Sequence, residues 1–374
     1  MRQANLPFAK FDCRHFVGEK PCRFSHAGCE DCAAYDPMGV RILIIKLAAM
    51  GDVIRTTPLV AALRERHEHC HVTWACGAAT APLLRGAKGI DKVIVLNGDS
   101  FNYLAAQSFN ELYCLDKEML AISLSSQTNA ELKKGFTMTP QGAIGIHDDD
   151  AAYALRLGVD DPLKFIENQN SYQEIIFEAC GLSFSGETIV LGINNEDRTQ
   201  GQRHLESCGK GPWIGINTGA GDVFATKRLS EEKTAALAKK IADEIGMTPV
   251  LLGGKTERQR NDRILKLAGN TLLDAGTDHP IRDFVGIISA LSALVCVDTL
   301  AMHLAVAQAV PVAAIFGPTC HQEVHLYGIG EKIISAPWCS PCYKGSCDHH
   351  TCMNEISVDE IIERLRSVLN KRGK

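Results

Sequence analysis

Two series of short, β-branched apolar runs, each interleaved with runs of helical period, constrain the fold of this chain more than any other feature. VRILII (40–45), HVTWAC (71–76) and KVIVL (92–96) make up the first series, with LVAALRER between its first two members. PWIGINTGA, TPVLLGG, ALVCVD and PVAAIFG make up the second, separated by SEEKTAALAKKIADEIG, ERQRNDRILKLAG and LAMHLAVAQA. Strand-length apolar runs alternating with helical ones predict βαβ units on parallel sheets. The expectation is therefore an α/β chain with two doubly wound domains, and its 374 residues suffice for two cores.

Composition narrows the function classes. With 45% hydrophobic and 22% charged residues the chain has the balance of a folded protein. A net charge of −5 gives no broad basic footprint, so no nucleic-acid partner is expected. No run reaches the roughly 18 apolar residues of a spanning helix, and MRQANLPFAKFDC lacks the apolar stretch of a secretory leader. A cytoplasmic location is expected. Fifteen cysteines in such a compartment point to metal ligation, redox chemistry or burial before structural disulfides.

Texture divides the chain into a Cys-rich module at 1–38, a domain at 39–205, a second domain with a Cys-rich tail at 206–354, and a closing helix at 355–374. The polar stretch NNEDRTQGQRHLESCGKG reads as the linker between the domains. In the closing helix Ser357 and Glu360 form a capping box, while Ile361, Ile362, Leu365 and Leu369 share a face that needs a partner surface.

Three turns stand where open α/β sheets bind ligands, beyond the carboxyl ends of strands. In KLAAMGDVIRTTP, Gly51 permits close backbone approach, and Asp52 reads either as a helix cap or as a reactive carboxylate. No G-x-G-x-x-G follows, so the dinucleotide fingerprint is missing. In INTGAGDVFATKRLS, backbone N–H groups from Thr218, Gly219 and Ala220 with the cations Lys227 and Arg228 suit a diphosphate; the other reading is a solvated loop. In VCVDTLAMHLAVA, Asp298 ends a strand and Thr299 opens a helix carrying His303, which reads either as a cleft residue or as part of the core.

Some look-alikes fall away. LLGGKTER has Pro249 where a Walker loop needs its first glycine. Asp148 and Asp150 read as helix N-terminal charges, and His67, His69 and His71 as a solvated strand edge. Two cysteine groups are more specific: Cys13, Cys22, Cys29 and Cys32 near the start, and Cys339, Cys342, Cys347 and Cys352 near the end, with His349 and His350 interleaved. Four thiolates can close a tetrahedral zinc site; an iron–sulfur cluster and metal-free thiols are the alternatives.

Taken in order, I-L-I-I-K-L-x-x-x-G-D-V-I-R-T-T-P, I-N-T-G-A-G…K-R, L-L-G-G-x-x-E and V-D-T-x-x-M-H-L-A-x-A…P-V-x-x-I-F-G-P-T make the chain from about Val40 onward resemble glycosyltransferase family nine, the lipopolysaccharide heptosyltransferases. The resemblance includes the C-S-P-C…C…C-M tail but not the amino-terminal Cys module. It implies a GT-B fold, with two Rossmann-like domains facing a cleft, the acceptor on the first and the nucleotide-sugar on the second, and the closing helix crossing back to the first domain. It further implies inverting transfer of heptose from an ADP-linked donor to a glycan or glycolipid acceptor without a metal or other cofactor in the chemistry. Asp52 matches the catalytic carboxylate, with Gly51, Arg55 and Thr56 on the acceptor side. Glu257 matches a residue associated with the donor nucleoside, and Asp298, Thr299, Met302 and His303 belong to the donor-side motif. Leu300 replaces a common Gly and Arg55 a common His. A lipid-linked acceptor would bring the enzyme to the inner face of the membrane. Two other readings are a GT-B-like nucleotide-sugar epimerase and a nonenzymatic metal-binding or redox protein on the same scaffold.

Overall fold

In the computed structural model, which describes residues 6–25, 27–221 and 224–371, two six-stranded sheets form. The first contains β1 (Val40–Ile45), β2 (Cys70–Cys76), β3 (Lys92–Val95), β4 (Ser108–Cys114), β5 (Asn129–Met138) and β6 (Ile144–Ile146), in the order β3-β2-β1-β4-β5-β6. The second contains β7 (Trp213–Asn217), β8 (Thr248–Leu252), β9 (Leu273–Asp274), β10 (Ala293–Val297), β11 (Val312–Phe316) and β12 (Gly330–Ile334), in the order β12-β11-β10-β7-β8-β9. Every pairing is parallel except the antiparallel β5–β6 edge. Both sheets follow the same doubly wound pattern: the first strand of each half is central, and the chain works outward to one side before crossing to the other. The order reverses between β1 and β4 and between β7 and β10, which are the switch points where such sheets bind ligands.

Burial explains why these runs are strands. Along β1 successive side chains alternate faces, so Leu43 and Ile45 enter one core and Ile42 and Ile44 the other, all fully buried. β10 repeats this, with Leu294 and Cys296 in one core and Ala293, Val295 and Val297 in the other.

Two expectations are corrected by packing. The stretch read as a linker is the helix Asn195–Cys208, opened by a reciprocal cap between Asn194 and Asp197, and the boundary placed at 205/206 falls inside it. This helix lies on Ile281–Ser289. Its contact surface is glycine: a Cβ on Gly201 would stand 1.9 Å from the Gly286 carbonyl carbon. The closing helix, Val358–Lys371, packs on the second domain and, among the described residues, does not cross back to the first. Its apolar face, Ile361, Ile362, Leu365 and Val368, is buried in the core beneath β10, β11 and β12 of the second domain. That sheet face would otherwise be open to water, so the nearest apolar partner takes the helix.

The two sheets meet through helices. Ile54, on Met50–Thr56, and Leu83, on Ala81–Leu84, are buried in the core of the second domain. Arg282 ties the seam by donating to the Pro82 and Gly192 carbonyls at 2.9 and 2.7 Å.

Candidate active site

Beyond the carboxyl end of β1, the backbone is held by one buried side chain that the sequence reading passed over. Asp116 accepts from the Leu47 and Ala48 N–H groups at 2.8 and 3.2 Å and from Lys46 Nζ at 3.4 Å. This fixes the turn from which the helix Met50–Thr56 starts. Ala49, not Asp52, occupies the cap position, so Asp52 lies in the first turn with its carboxylate uncommitted to capping.

Arg55, one turn later, donates Nε and Nη2 to the same oxygen, Asp52 Oδ1, at 3.1 and 2.8 Å. Among the described residues no donor reaches Oδ2. The guanidinium rests on the Tyr172 ring, 3.8 Å from its centre, and the Tyr172 hydroxyl is 3.0 Å from Thr56 Oγ1. Burial pushes the Asp52 carboxyl up, but the Arg55 and Lys46 cations outweigh it and hold the group below the ordinary carboxylate range. Asp52 is thus a charged carboxylate at neutral pH with one oxygen open.

Across the cleft, the turns after β7, β8 and β10 enclose a cavity of about 830 Å³, within the range of small-molecule sites. Gly219, Lys227, Glu257, Asp298, Thr299 and Leu300 line it, and Met50 and Ala79 close it from the first domain. Lys227 Nζ donates to the Asp298 carbonyl at 3.1 Å and lies 3.3 Å from its carboxylate. Burial opposes the charge of Asp298, yet Lys227, His303 and Arg55 keep its carboxyl below the usual range. Glu257 accepts from the Gly254 N–H at 3.0 Å through Oε2, while Arg228 meets Oε1 at 3.1 Å. The helix Leu300–Ala307 begins at this cavity and presents first-turn N–H groups to it.

His303 joins the halves. A Cβ on Gly51 would lie 2.8 Å from His303 Cδ2, so this glycine is required by the close approach of the two helices. Burial and the neighbouring Arg55 lower the His303 pKa to about 4 despite Asp298 and Asp52, leaving the ring neutral at pH 7.

Most of the anticipated residues are therefore brought to one cleft, but Arg228 does not line the cavity and adjoins it only through Glu257, and three others depart in position. Met302 is fully buried in the core and does not line the cavity, because it sits on the inward face of its helix. Thr218 is also buried and donates to Asn261 Oδ1 at 2.6 Å, supporting its turn from behind. Thr56 is turned back on its own helix, donating to the Asp52 carbonyl at 2.7 Å. Residues missed from sequence are Lys46, Asp116, Tyr172 and Asn217. Lys46 and Asn217 were visible as polar residues at strand ends, whereas Asp116 and Tyr172 reach the site only through tertiary folding.

Both cysteine groups are free thiols, and each borders a small cavity: about 10 Å³ for the amino-terminal four and about 20 Å³ for the carboxy-terminal four. Among the described residues no three His, Cys, Asp or Glu side chains are already drawn together as a metal site. No described helix is long and apolar enough to cross a membrane.

Comparison with known proteins bears on this cleft. A glycosyltransferase family 9 protein from Veillonella parvula DSM 2008 has the same fold, with a TM-score of 0.69 at 20% identity over 89% of this chain and 98% of that one. E. coli ADP-heptose lps heptosyltransferase II gives 0.68 at 17% over 90% and 100%, and E. coli heptosyltransferase WaaC with ADP gives 0.58 at 15% over 89% and 99%. No curated protein sequence matches. These likenesses establish two Rossmann-like domains in a GT-B-like arrangement. Residues 159–352, more than half of the chain, match the model of glycosyltransferase family 9 (heptosyltransferase), and the chain belongs to that family.

Proposed function

We propose that the chain is an inverting glycosyltransferase that moves a sugar, heptose in the first instance, from an ADP-linked donor to a hydroxyl of a cell-envelope glycan such as the lipopolysaccharide core. The observation that carries this reading is the charged, half-open carboxylate of Asp52 on the short helix whose first residue, Met50, closes a nucleotide-sized cavity. Family membership and the two E. coli structures, named for ADP-heptose transfer and for bound ADP, support the choice of donor.

Asp52 Oδ2 accepts the proton of the acceptor hydroxyl as its oxygen bonds to the anomeric carbon from the face opposite the diphosphate. The bond from that carbon to the phosphate oxygen breaks on the other face, and the departing diphosphate takes the electron pair. Lys227, Arg228 and the first-turn N–H groups at Thr299 and Leu300 stabilise the charge that develops there, acting as fixed donors that need little rearrangement. Leu300 brings a side chain to a position where a glycine would let the backbone come closer, so contact with phosphate falls more heavily on Lys227. Gly219, Ala220 and Glu257 border the nucleoside end. Gly51 and Arg55 stand on the acceptor side, where such an enzyme would work in the cytoplasm at the inner face of the membrane on a lipid-linked acceptor.

Calorimetric titration with ADP, UDP, GDP and CDP, run on the parent chain and on Lys227→Ala and Asp52→Asn, tests both halves of the reading. Selective ADP binding is expected, weakened at least tenfold by Lys227→Ala and left intact by Asp52→Asn. With an ADP-heptose donor and a core acceptor, Asp52→Asn should lower turnover by about 10²–10⁴-fold, the usual contribution of a general base. Equal binding of all four nucleotides, or an Asp52→Asn enzyme of undiminished rate, would sink it.

A further inference from the structure

The amino-terminal module lacks the ordinary means of holding a fold. Between residues 6 and 38 the buried nonpolar side chains, among those described, are Ala9, Cys13 and Cys29. Its large apolar residues face outward instead: Phe8 is 60% exposed, and Phe11, Phe24 and Tyr35 are also exposed. Among the described residues the backbone is a succession of turns with isolated bridges at Cys13–Pro37 and Cys22–Ser25 and no helix or extended ladder. A segment this short cannot bury enough apolar surface to offset the entropy of ordering it, and modules of this size depend on disulfides or a metal.

What lies at its centre is sulfur. Cys13, Cys22, Cys29 and Cys32 come from four separate points in the chain, yet all border one cavity of about 10 Å³. Three of them open the same kind of turn, in which the residue three positions on donates its N–H to the cysteine carbonyl: Phe16 to Cys13, Ser25 to Cys22 and Tyr35 to Cys32. The module is also held in place as a unit, since Arg14 donates to Asp91 at 3.0 Å and so fastens it to the β2–β3 side of the first sheet.

We propose that Cys13, Cys22, Cys29 and Cys32 bind a single divalent transition-metal ion, zinc in the first instance, as four thiolates, and that this ion is the core of the module. Four thiolates are the ligand set of closed structural zinc sites, and each thiol releases its proton as its sulfur–metal bond forms. The cavity the four thiols border is small, about 10 Å³, and four sulfur ligands suffice to close it around one ion. The thiols border the cavity without yet converging on one centre, so the side chains turn inward as the ion enters; ligation and folding are one event in such modules. This inference does not rest on the transferase reading, since none of these residues touches the cleft.

The test uses the full chain, purified under reducing conditions and loaded with zinc, beside the double variants Cys22→Ser with Cys29→Ser and Cys339→Ser with Cys342→Ser. Metal analysis should show that the amino-terminal pair of substitutions removes about one equivalent of zinc, whatever the carboxy-terminal pair does. Cobalt loading of the parent should give the intense thiolate charge-transfer bands of a tetrahedral site, lost in the amino-terminal variant alone or reduced by its share. Because that variant could misfold, mass-spectrometric alkylation of the unmutated chain provides a second reading: zinc should protect Cys13, Cys22, Cys29 and Cys32 from modification. Unchanged zinc content in the amino-terminal variant, absence of protection in the parent, cysteines already paired as disulfides, or acid-labile sulfide assigned to these four residues would each overturn the proposal.

Discussion

At the scale of single residues, the chemistry of the cleft turns on the three-residue spacing between Asp52 and Arg55. On a helix that spacing puts both side chains on one face, and here it delivers two guanidinium hydrogen bonds to one carboxylate oxygen. Burial alone would raise the Asp52 pKa, so the low value depends on Arg55 first and Lys46 second. Replacing Arg55 by Ala leaves burial less opposed, and the carboxyl then protonates at higher pH. We expect the acid limb of kcat/KM to lie below the ordinary carboxylate range in the parent, to move upward in Arg55→Ala and to stay nearer its original place in Arg55→Lys. Profiles of all three that share one acid limb would show that Arg55 does not set the charge of Asp52. The placement of Gly51, Asp52 and Arg55 at a strand-to-helix turn was legible beforehand, whereas the pairing of Arg55 with Asp52 was not, because the residues alone left Asp52 open between a helix cap and a reactive carboxylate. Asp116, which holds that turn, was not legible, since its role depends on which strand lies beside β1 in the folded sheet.

At the scale of elements, the sequence reports strands well where both faces are apolar and badly where they are not. VRILII and ALVCVD are buried on both sides and stand out; β4, SFNELYC, and β5, NAELKKGFTM, carry charges and amides and fall outside the recognised series. The helix Asn195–Cys208 was hidden for a related reason. Among its described side chains only Gly201 and Leu205 are buried, so no apolar stripe announces it. It packs through the absence of side chains, and the closing helix shows the converse: its apolar stripe was plain, but a stripe does not name its partner. Gly201→Ala tests the glycine contact. The added methyl meets backbone at Gly286, which cannot rotate away, and we expect a loss of about 1–3 kcal/mol or more in urea unfolding. Gly98→Ala, where a Cβ meets nothing within 4 Å, should change stability by no more than about 0.5 kcal/mol. Equal effects at the two positions would contradict the close helix crossing.

At the scale of the whole molecule, the two halves are joined by a contact that carries an ionisable group. His303 packs against Gly51 between the domains, with Arg55, Lys227, Asp52 and Asp298 around it, and its pKa is lowered to about 4 from 6.5. The unfolded chain therefore binds a proton here between pH 6.5 and about 4 while the folded chain does not, so stability rises with pH across that window. Read downward, stability is intact above about pH 6.5 and is lost progressively toward pH 4, by up to about 3 kcal/mol for this one buried group. His147, also lowered to about 4, chiefly by burial, adds to the same slope from within the first domain. The depressed carboxyls of Asp52 and Asp298 act lower down, removing stability only as pH falls below the ordinary carboxylate range. Urea unfolding of the parent and of His303→Gln at intervals from pH 7.5 to 4 separates these contributions. The glutamine cannot take up a proton, so its curve should be flatter than the parent's above pH 4.5 even if it begins from a lower stability. Parallel curves would mean that His303 is protonated in the folded chain at an ordinary pH. The contact between the domains would then hold a cation beside Arg55 and Lys227, and the neutral ring assigned to the cleft would be wrong.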